Sequence, residues 1–369
     1  MGSPTVVDLF CGVGGFSLGF AEAGFDVVLA VDSNEPTLDT YQKNFPETAT
    51  IDVDLSEANT QELLSDANME VEDVDIVIGG PPCQGFSVMG KQHEDDERNQ
   101  LLLDFARHLL ELLPRYFVVE NVPGLMSEIG EEYLNKFLSV VETGGYSVVR
   151  DIQKLDAKDF DVPQDRERVI IIGYQNDVPE PSYPQPNGRD VSSWDAIRDL
   201  PVNLEAVSLD DDVYKGELGE PSEYVDKINS FTRLTDEVVD GISGLDPVDH
   251  SEKVRERFAE VEPGKVESVS RYPRLKKSEP SNTLRAGSSR SRGTHTPARP
   301  IHPAAPRCIT VREAARLQSF PDWFQFHSTK YYGLRQIGNS VPPLVAKSIA
   351  EEIRSGFESI QEPVITHAE

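Results

Sequence analysis

The chain has 369 residues, 38% of them apolar, and a mean hydropathy of −0.40; no apolar run approaches the roughly 20 residues that span a bilayer, which excludes a membrane-spanning helix. A strand-like run starts almost at once at Thr5, so no signal peptide is expected. The cysteines Cys11, Cys83 and Cys308 lack zinc-like spacing and are odd in number, which predicts no metal site and no disulfide framework but free thiols in a reducing cytoplasm.

In chain order, short apolar runs predict buried strands over Thr5–Phe10, Asp26–Asp32, Asp75–Gly80, Tyr116–Val122, Tyr146–Ile152 and Val169–Tyr174, with another short strand ending near Asp54. Helical patterns lie between them, over Gly14–Ala23, Glu35–Asn44, Gln61–Ala67, Asn99–Leu113 and Glu131–Thr143. In the fourth, Leu102, Phe105, Leu109 and Leu112 repeat at three and four residues. Such alternation implies an α/β fold, a mostly parallel, doubly wound sheet covered on both faces. After Tyr174 the prolines Pro179, Pro181, Pro184 and Pro186 break the pattern, and residues up to about 300 lack the alternation. Helical periodicity returns at Val311–Gln318 and Pro343–Phe357. This divides the chain into a first catalytic part (1–178), a smaller irregular domain (179–300) and a C-terminal segment that completes the sheet domain (301–369).

Chemistry-bearing residues gather where strands end. Asp8-Leu9-Phe10-Cys11-Gly12-Val13-Gly14-Gly15 is a glycine turn between a strand and a helix, at the edge where open α/β sheets bind cofactors. Asp32, about 20 residues later, could accept hydrogen bonds from ribose hydroxyls; Glu35 competes for that role, and Asp54 could accept from an adenine amine. Each acid alone also fits a strand-end or helix-cap residue. Gly79-Gly80-Pro81-Pro82-Cys83-Gln84-Gly85-Phe86-Ser87 is a rigid loop that presents Cys83 at the same edge. A lone cysteine is usually a small buried hydrophobe; in such a loop it is a candidate nucleophile. Glu120-Asn121-Val122 ends another strand, where a carboxyl group with a raised pKa could donate a proton. In Gln164-Asp165-Arg166-Glu167-Arg168, alternation points both arginines one way, able to hold base oxygens, carboxylates or phosphates. Surface ion pairs would explain each arginine equally well in isolation.

Together these motifs, with Arg307–Pro321 and Gln336-Ile337-Gly338-Asn339-Ser340-Val341-Pro342-Pro343, resemble the DNA (cytosine-5)-methyltransferase family over nearly the whole chain. Only Val202–Ser270 departs from it, in the family's variable target-recognition region. The resemblance implies a Rossmann-like, S-adenosyl-L-methionine-dependent methyltransferase fold. Cys83 would add to C6 of a flipped-out cytosine, Glu120 would hold the amine and N3 edge, and Arg166 and Arg168 would contact the base, Arg168 at O2. Phe10, Gly12, Gly14, Gly15, Asp54, Leu55, Pro81, Asn339 and Ser340 would line the cofactor, with Glu35 favoured over Asp32 at the ribose. Gln84, Ser87, Arg285, Arg290 and Arg292 would touch double-stranded DNA. The resemblance further implies a monomer, with any cognate restriction endonuclease acting separately.

Other classes are weighed against this one. A tRNA cytosine methyltransferase of the same family usually carries a Cys-Phe-Thr stretch, which this chain lacks. A nucleotide-dependent oxidoreductase explains the glycine turn and Asp32 but not Cys83, Glu120 and Arg168. A non-catalytic DNA-binding module leaves the intact Cys83 and Glu120 unexplained.

The net charge of −29 would suit a generic acidic protein that avoids nucleic acid, or one adapted to molar salt. Against it stands a basic island: Lys265, Arg271, Arg274, Lys276, Lys277, Arg285, Arg290, Arg292, Arg299, Arg307 and Arg312, with only Glu267 and Glu279 between. That is the footprint expected of a phosphate-tracking surface. At about 1 M salt the Debye length is about 3 Å, so repulsion from DNA would be screened. On the salt-adapted reading the melting temperature should rise between about 0.1 and about 2 M KCl. A steady fall over that range would rule the reading out.

Overall fold

Runs such as Val27–Val31, Ile76–Ile78 and Phe117–Val119 are apolar on both strand faces, the pattern of a sheet covered on both sides. In the computed structural model, which describes residues 2–82, 100–204, 209, 212–287 and 299–361, they build one eight-stranded sheet. Strands β1 (Thr5–Leu9), β2 (Asp26–Asp32), β3 (Ala49–Asp52), β4 (Ile76–Gly79) and β5 (Tyr116–Asn121) are mutually parallel. β6 (Tyr146–Val148), β7 (Gln153–Asp156), the two-residue β8 (Gln164–Asp165) and β9 (Glu167–Gln175) follow. β9 runs antiparallel to β5, and β6 and β7 both pair with β9. The order is β3-β2-β1-β4-β5-β9-β6, the mostly parallel doubly wound sheet expected.

The expected strand Tyr146–Ile152 is divided. The charged pair Arg150-Asp151 leaves the ladder, and Arg150 turns out to the carboxylate of Glu142. The third strand ends at Asp52, two residues before Asp54.

Helices cover both faces. On one lie α1 (Gly15–Glu22) and α2 (Glu35–Asn44). On the other lie α3 (Thr60–Asp66), α4 (Leu101–Leu112) and α5 (Glu128–Thr143). The predicted stripe of α4 is buried completely or nearly so, from Leu102 to Leu112. Among the described residues the segment after β9 holds short elements: α6 (Ser193–Ile197), β10 (Val213–Tyr214), α7 (Glu223–Asn229), β11 (Ile242–Ser243), α8 (Glu252–Glu260) and β12 (Ser281–Asn282). β12 pairs in parallel with β8, which ties this segment to the sheet domain. The chain returns through α9 (Val311–Leu317), α10 (Lys330–Asn339) and α11 (Pro343–Gln361), and α11 packs against α1 as the periodicity of its apolar residues implies. α10 escapes a reading of periodicity because Gly333 and Gly338 interrupt it and its buried apolar residues are few. Among the described residues no helix is long and apolar enough to cross a membrane.

Charge is carried deep into this core. Glu313 caps α9 from its third position and takes a bidentate pair from Arg307, at 2.8 and 2.7 Å. Arg316, fully buried, pairs with Asp199 and Asp322 at 2.6 and 2.7 Å. Under α1, Asp8 of β1 accepts from the Ser17 hydroxyl at 2.5 Å, which in turn accepts from Tyr41 at 2.8 Å. Its other carboxylate oxygen, Oδ1, is buried without a hydrogen-bond partner. Burial raises Asp8 from 3.8 to about 8, against the opposing hydrogen bond from Ser17 and with help from the Asp32 charge.

The folded chain therefore holds a proton on Asp8 that the unfolded chain releases in mild acid. The associated stability is complete below the unfolded value and is lost as pH rises toward about 8. Asp8→Asn, which cannot ionise, should accordingly gain a few degrees in melting temperature over the parent at about pH 8.5, roughly 1–2 kcal/mol, and gain less at about pH 5. Thermal melts at the two pH values check this; equal shifts at both would contradict it.

Candidate active site

The carboxyl ends of β1, β2, β4 and β5 converge on one edge, and the residues that follow them form the site. After β1, Phe10 adopts a left-handed backbone (φ 60°), as does Gly12 (φ 56°). A side chain at Gly12 would meet nothing within 4 Å, so the turn leaves open space above it. Gly14 and Gly15 answer to packing. A Cβ on Gly14 would strike Phe45 at 2.4 Å, and one on Gly15 would strike the carbonyl of Val341 at 2.3 Å. The C-terminal segment thus lies directly on the glycine turn, and Ser340 is the residue before that contact. Ser340 is buried and its hydroxyl donates to the Gln336 carbonyl at 2.8 Å, while Asn339 is exposed.

The two acids considered for the ribose have different surroundings. Asp32 accepts from the backbone N–H of Gly12 and of Asn34, both at 3.0 Å, so it clamps the turn to β2. Burial raises its pKa even so. Glu35, the first residue of α2, is exposed. Asp54 is exposed and one of its oxygens accepts from the N–H and hydroxyl of Ser56, at 3.0 and 2.7 Å. Leu55 is buried, and its carbonyl receives Arg107 at 2.7 Å and His108 at 2.9 Å, both from α4. Arg107 also reaches the Ala58 carbonyl at 3.1 Å, and Thr60 bonds His108 Nδ1 at 2.8 Å. Burial lowers the His108 pKa, so the ring is neutral and donates through Nε2 to Leu55. The role of α4 in holding the Leu55 loop was missed from sequence. The signal was a polar residue on an apolar stripe, since His108 lies three residues after Phe105 and four before Leu112.

At the end of β4 the loop toward Cys83 is anchored. Pro81 is buried and its carbonyl accepts from Asn121 Nδ2 at 3.0 Å. Cys83, Gln84 and Ser87 lie outside the described residues. Cys11 and Cys308 are both buried; burial raises Cys11 well above the usual thiol range and Cys308 to about 12, so neither is an available nucleophile.

Glu120 and Arg168 meet beside that loop. The ladder sets Asn121 opposite Val169, which brings the start of β9 to the carboxyl end of β5. Arg168 Nε approaches Glu120 Oε1 at 2.7 Å without aiming its hydrogen along that line, an ion pair rather than an aligned hydrogen bond. Gly80 faces them: a Cβ there would sit 3.4 Å from the Glu120 carboxylate.

Arg166, expected as a second base contact, is held largely by backbone carbonyls. It is 2% exposed, and its terminal nitrogens donate to the carbonyls of Leu284 (3.1 Å), Gly338 (3.1 Å) and Ser340 (3.0 Å). Arg168 and Glu120 act on it electrostatically; its terminal nitrogens are committed to backbone, while its buried Nε has no hydrogen-bond partner among the described residues. Gln164 behaves alike, linking the Leu317 carbonyl, the Gln318 side chain and the Leu284 N–H.

The basic island is also largely structural. Arg307 pairs with Glu313; Arg312 donates to the carbonyls of Ser243, Pro321 and Phe324; Arg274 donates to three carbonyls at the end of α8. Lys276 pairs with Glu279, and Lys277 lies over the Trp194 ring at 4.1 Å. Arg285 is exposed; Arg290 and Arg292 lie outside the described residues.

Comparison with known proteins agrees with this arrangement. The model of the C-5 cytosine-specific DNA methylase family matches residues 4–355. The type II methyltransferase M.XorII of Xanthomonas oryzae pv. oryzae is 45% identical over 96% of this chain and 85% of its own length. M.DdeI of Desulfomicrobium norvegicum is 34% identical, over 96% of this chain and 89% of its own. A solved structure assigned as a prophage-encoded DNA modification methyltransferase of E. coli superposes with a TM-score of 0.82 at 36% identity, over 96% of this chain and 100% of that one. The chain belongs to the C-5 cytosine-specific DNA methylase family.

Proposed function

We propose that this chain methylates C5 of a flipped-out cytosine within a specific double-stranded DNA sequence, using S-adenosyl-L-methionine and a transient bond between Cys83 and C6. The observation that carries the reading is the Glu120–Arg168 pair at the mouth of the Asn121-anchored loop that leads to Cys83. A carboxylate and a guanidinium set side by side can bracket the polar edge of one pyrimidine, the acid at N4 and N3 and the cation at O2. Inside stacked duplex that edge and C6 are out of reach, hence the flipped base.

The residues present fit the cofactor. Open space over Gly12, the exposed Glu35 at the start of α2, and Asp54 with Leu55 offer a backbone cradle, a ribose acceptor and an adenine site. Phe10, Pro81, Asn339 and Ser340 complete the lining proposed for it. When bound, S-adenosylmethionine supplies an electrophilic methyl group. The Cys83 thiolate adds to C6, which turns C5 into an enamine-like nucleophile. The positive charge of Arg168 would favour the thiolate form of Cys83. Glu120 binds the amine and N3 edge and favours protonation of N3 as charge develops there. Once C5 carries the methyl group, loss of its proton expels Cys83 and restores the ring.

In this scheme Arg166 positions the site through its terminal nitrogens, and its unpartnered Nε is the donor it offers toward the base. Residues 179–300 serve as the target-recognition domain between catalytic parts 1–178 and 301–369. The enzyme acts in the cytoplasm as a monomer, with any restriction endonuclease a separate protein. Gln84, Ser87, Arg285, Arg290 and Arg292 remain the proposed DNA contacts.

Cys83→Ser is expected to abolish methyl transfer while binding S-adenosylmethionine as the parent does. A duplex with 5-fluorocytosine at the target should become covalently linked to the parent enzyme and not to the variant. Turnover by the variant, or no adduct with the parent, would remove the proposed chemistry. The two ribose candidates should separate cleanly. Glu35→Gln should raise the cofactor KM about 10- to 100-fold with little change in melting temperature, as loss of a charged hydrogen bond of about 1.5–3 kcal/mol implies. Asp32→Asn should instead lower the melting temperature, since it weakens the clamp on Gly12. The reverse pattern would reassign the ribose to Asp32.

A further inference from the structure

Among the cations of the basic island, Lys265 and Arg271 stand apart. Both are exposed, and neither side chain has a hydrogen-bond, ion-pair or ring partner among the described residues. They share one hairpin. Gly264 N–H donates to the Arg274 carbonyl, Arg274 N–H to the Lys265 carbonyl and Glu267 N–H to the Tyr272 carbonyl, each at 2.8 Å. The base of the hairpin rests on a small separate core of Phe258, Ile301 and Cys308, against which Tyr272 packs.

The tip is built rigidly around a buried acid. The Glu267 side chain is 3% exposed. Its carboxylate accepts the N–H groups of Val269 at 3.1 Å and Ser270 at 2.5 Å, and lies 3.3 Å from Arg257 Nε on α8. Arg271 closes the turn with φ 62°, a backbone that costs any residue with a Cβ. What this held turn displays is apolar as well as basic: Val266 is 54% exposed and Val269 is 65% exposed. A surface shaped only for solubility in an acidic chain needs neither two bare valines nor a bulky residue where glycine would relax the turn.

We infer that the hairpin tip Lys265–Arg271 is a base-reading element that enters the major groove of the target duplex, with Arg271 on a guanine edge, Val269 on a thymine methyl and Lys265 on a phosphate. The chemistry matches part for part. Arginine donates two parallel bonds to O6 and N7 of guanine, apolar side chains recognise the thymine C5 methyl, and lysine meets phosphate without regard to sequence. Fixing the tip before contact avoids the cost of ordering a loop on binding. The inference rests on the DNA-methylating function proposed above and names the residues that choose its sequence.

The test uses the full chain and four forms: the parent, Arg271→Gly, Arg271→Ala and Val269→Ser. Each is expressed in a host without cytosine methylation, and bisulfite sequencing of host DNA gives its motif. Purified enzymes are then assayed for kcat/KM on duplexes in which one base pair of the parent motif is changed at a time. Both Arg271 variants should lose discrimination by about 10- to 100-fold at one G·C pair, the range a bidentate contact supplies. Val269→Ser should lose it by a smaller factor at a pair containing thymine. Arg271→Gly should melt at or above the parent temperature, because glycine relieves the left-handed turn, which separates lost readout from lost folding. Unchanged motifs and discrimination in all variants would overturn the tip assignment while leaving the catalytic reading intact. A parent that methylates no cytosine would overturn both, and a relaxed pair that is not G·C would overturn the role given to Arg271.

Discussion

A single guanidinium joins three stretches of chain that lie far apart in sequence. Arg166, between β8 and β9, holds the carbonyls of Leu284, Gly338 and Ser340. Among the described residues no carboxylate pairs with it; the like charge of Arg168 nearby adds to the penalty of its burial, and Glu120 offsets part of it. A charged donor in this position is tolerated because carbonyl dipoles converge on it, and removing it would leave those carbonyls unsatisfied at about 1–3 kcal/mol each. The geometry of the site follows from this staple. Ser340 is fixed, so Val341 presses on Gly15 and sets the glycine turn. Leu284 is fixed, so the strand β12 reaches β8 and the segment after β9 is registered against the sheet. Two residues further along, Arg168 is delivered to Glu120.

The same economy governs charge over the whole chain. The acids outnumber the bases heavily, yet Arg166, Arg312 and Arg316 are among the largest fully buried side chains. Cations are drawn inward to satisfy carbonyls and buried acids, and most of the carboxylates are left outside. Arginine suits that use, since its planar fork bonds several acceptors at once and stays charged when buried. One consequence concerns DNA. An acidic surface repels a polyanion at low salt, so attraction must come from the few cations that still face outward rather than from a basic field. Binding of that kind depends on local contacts more than on long-range steering.

The legible part of the fold was the part written in runs of one residue class. Val6-Val7, Ile76–Ile78 and Phe117–Val119 announce buried strands, and the stripe on α4 announces its helix. Direction is not written there. β9 reads like another parallel strand, and only its ladder to β5 reveals that it runs back and so brings Arg168 beside Asn121 and Glu120. Motif residues were legible as a set and less so as individuals. Arg166 and Arg168 are near enough to repel one another, but whether a guanidinium meets a base or a carbonyl depends on what packs over it. For Arg166 the covering residues come from 118 to 174 positions away in sequence. The basic island is legible only in part for a related reason. Composition counts charges without asking which are exposed, and Arg274, Arg307 and Arg312 each found internal acceptors.

Four carboxylates near the cofactor edge show how far environment outweighs residue type. Asp8 sits beneath the turn, with one oxygen paired to Ser17 and the other unpaired, and remains protonated near neutrality. Asp32 receives two backbone N–H groups and is a structural anchor. Glu120 faces a guanidinium in a nearly closed recess. Glu35 alone projects from a helix start into the open. The clamp by Asp32 and the availability of Glu35 are one arrangement. Asp32 is tied to Gly12 and could not move without releasing that turn, whereas Glu35 is exposed. Placing Glu35 on the first turn of α2, three residues after Asp32, keeps it near the same edge.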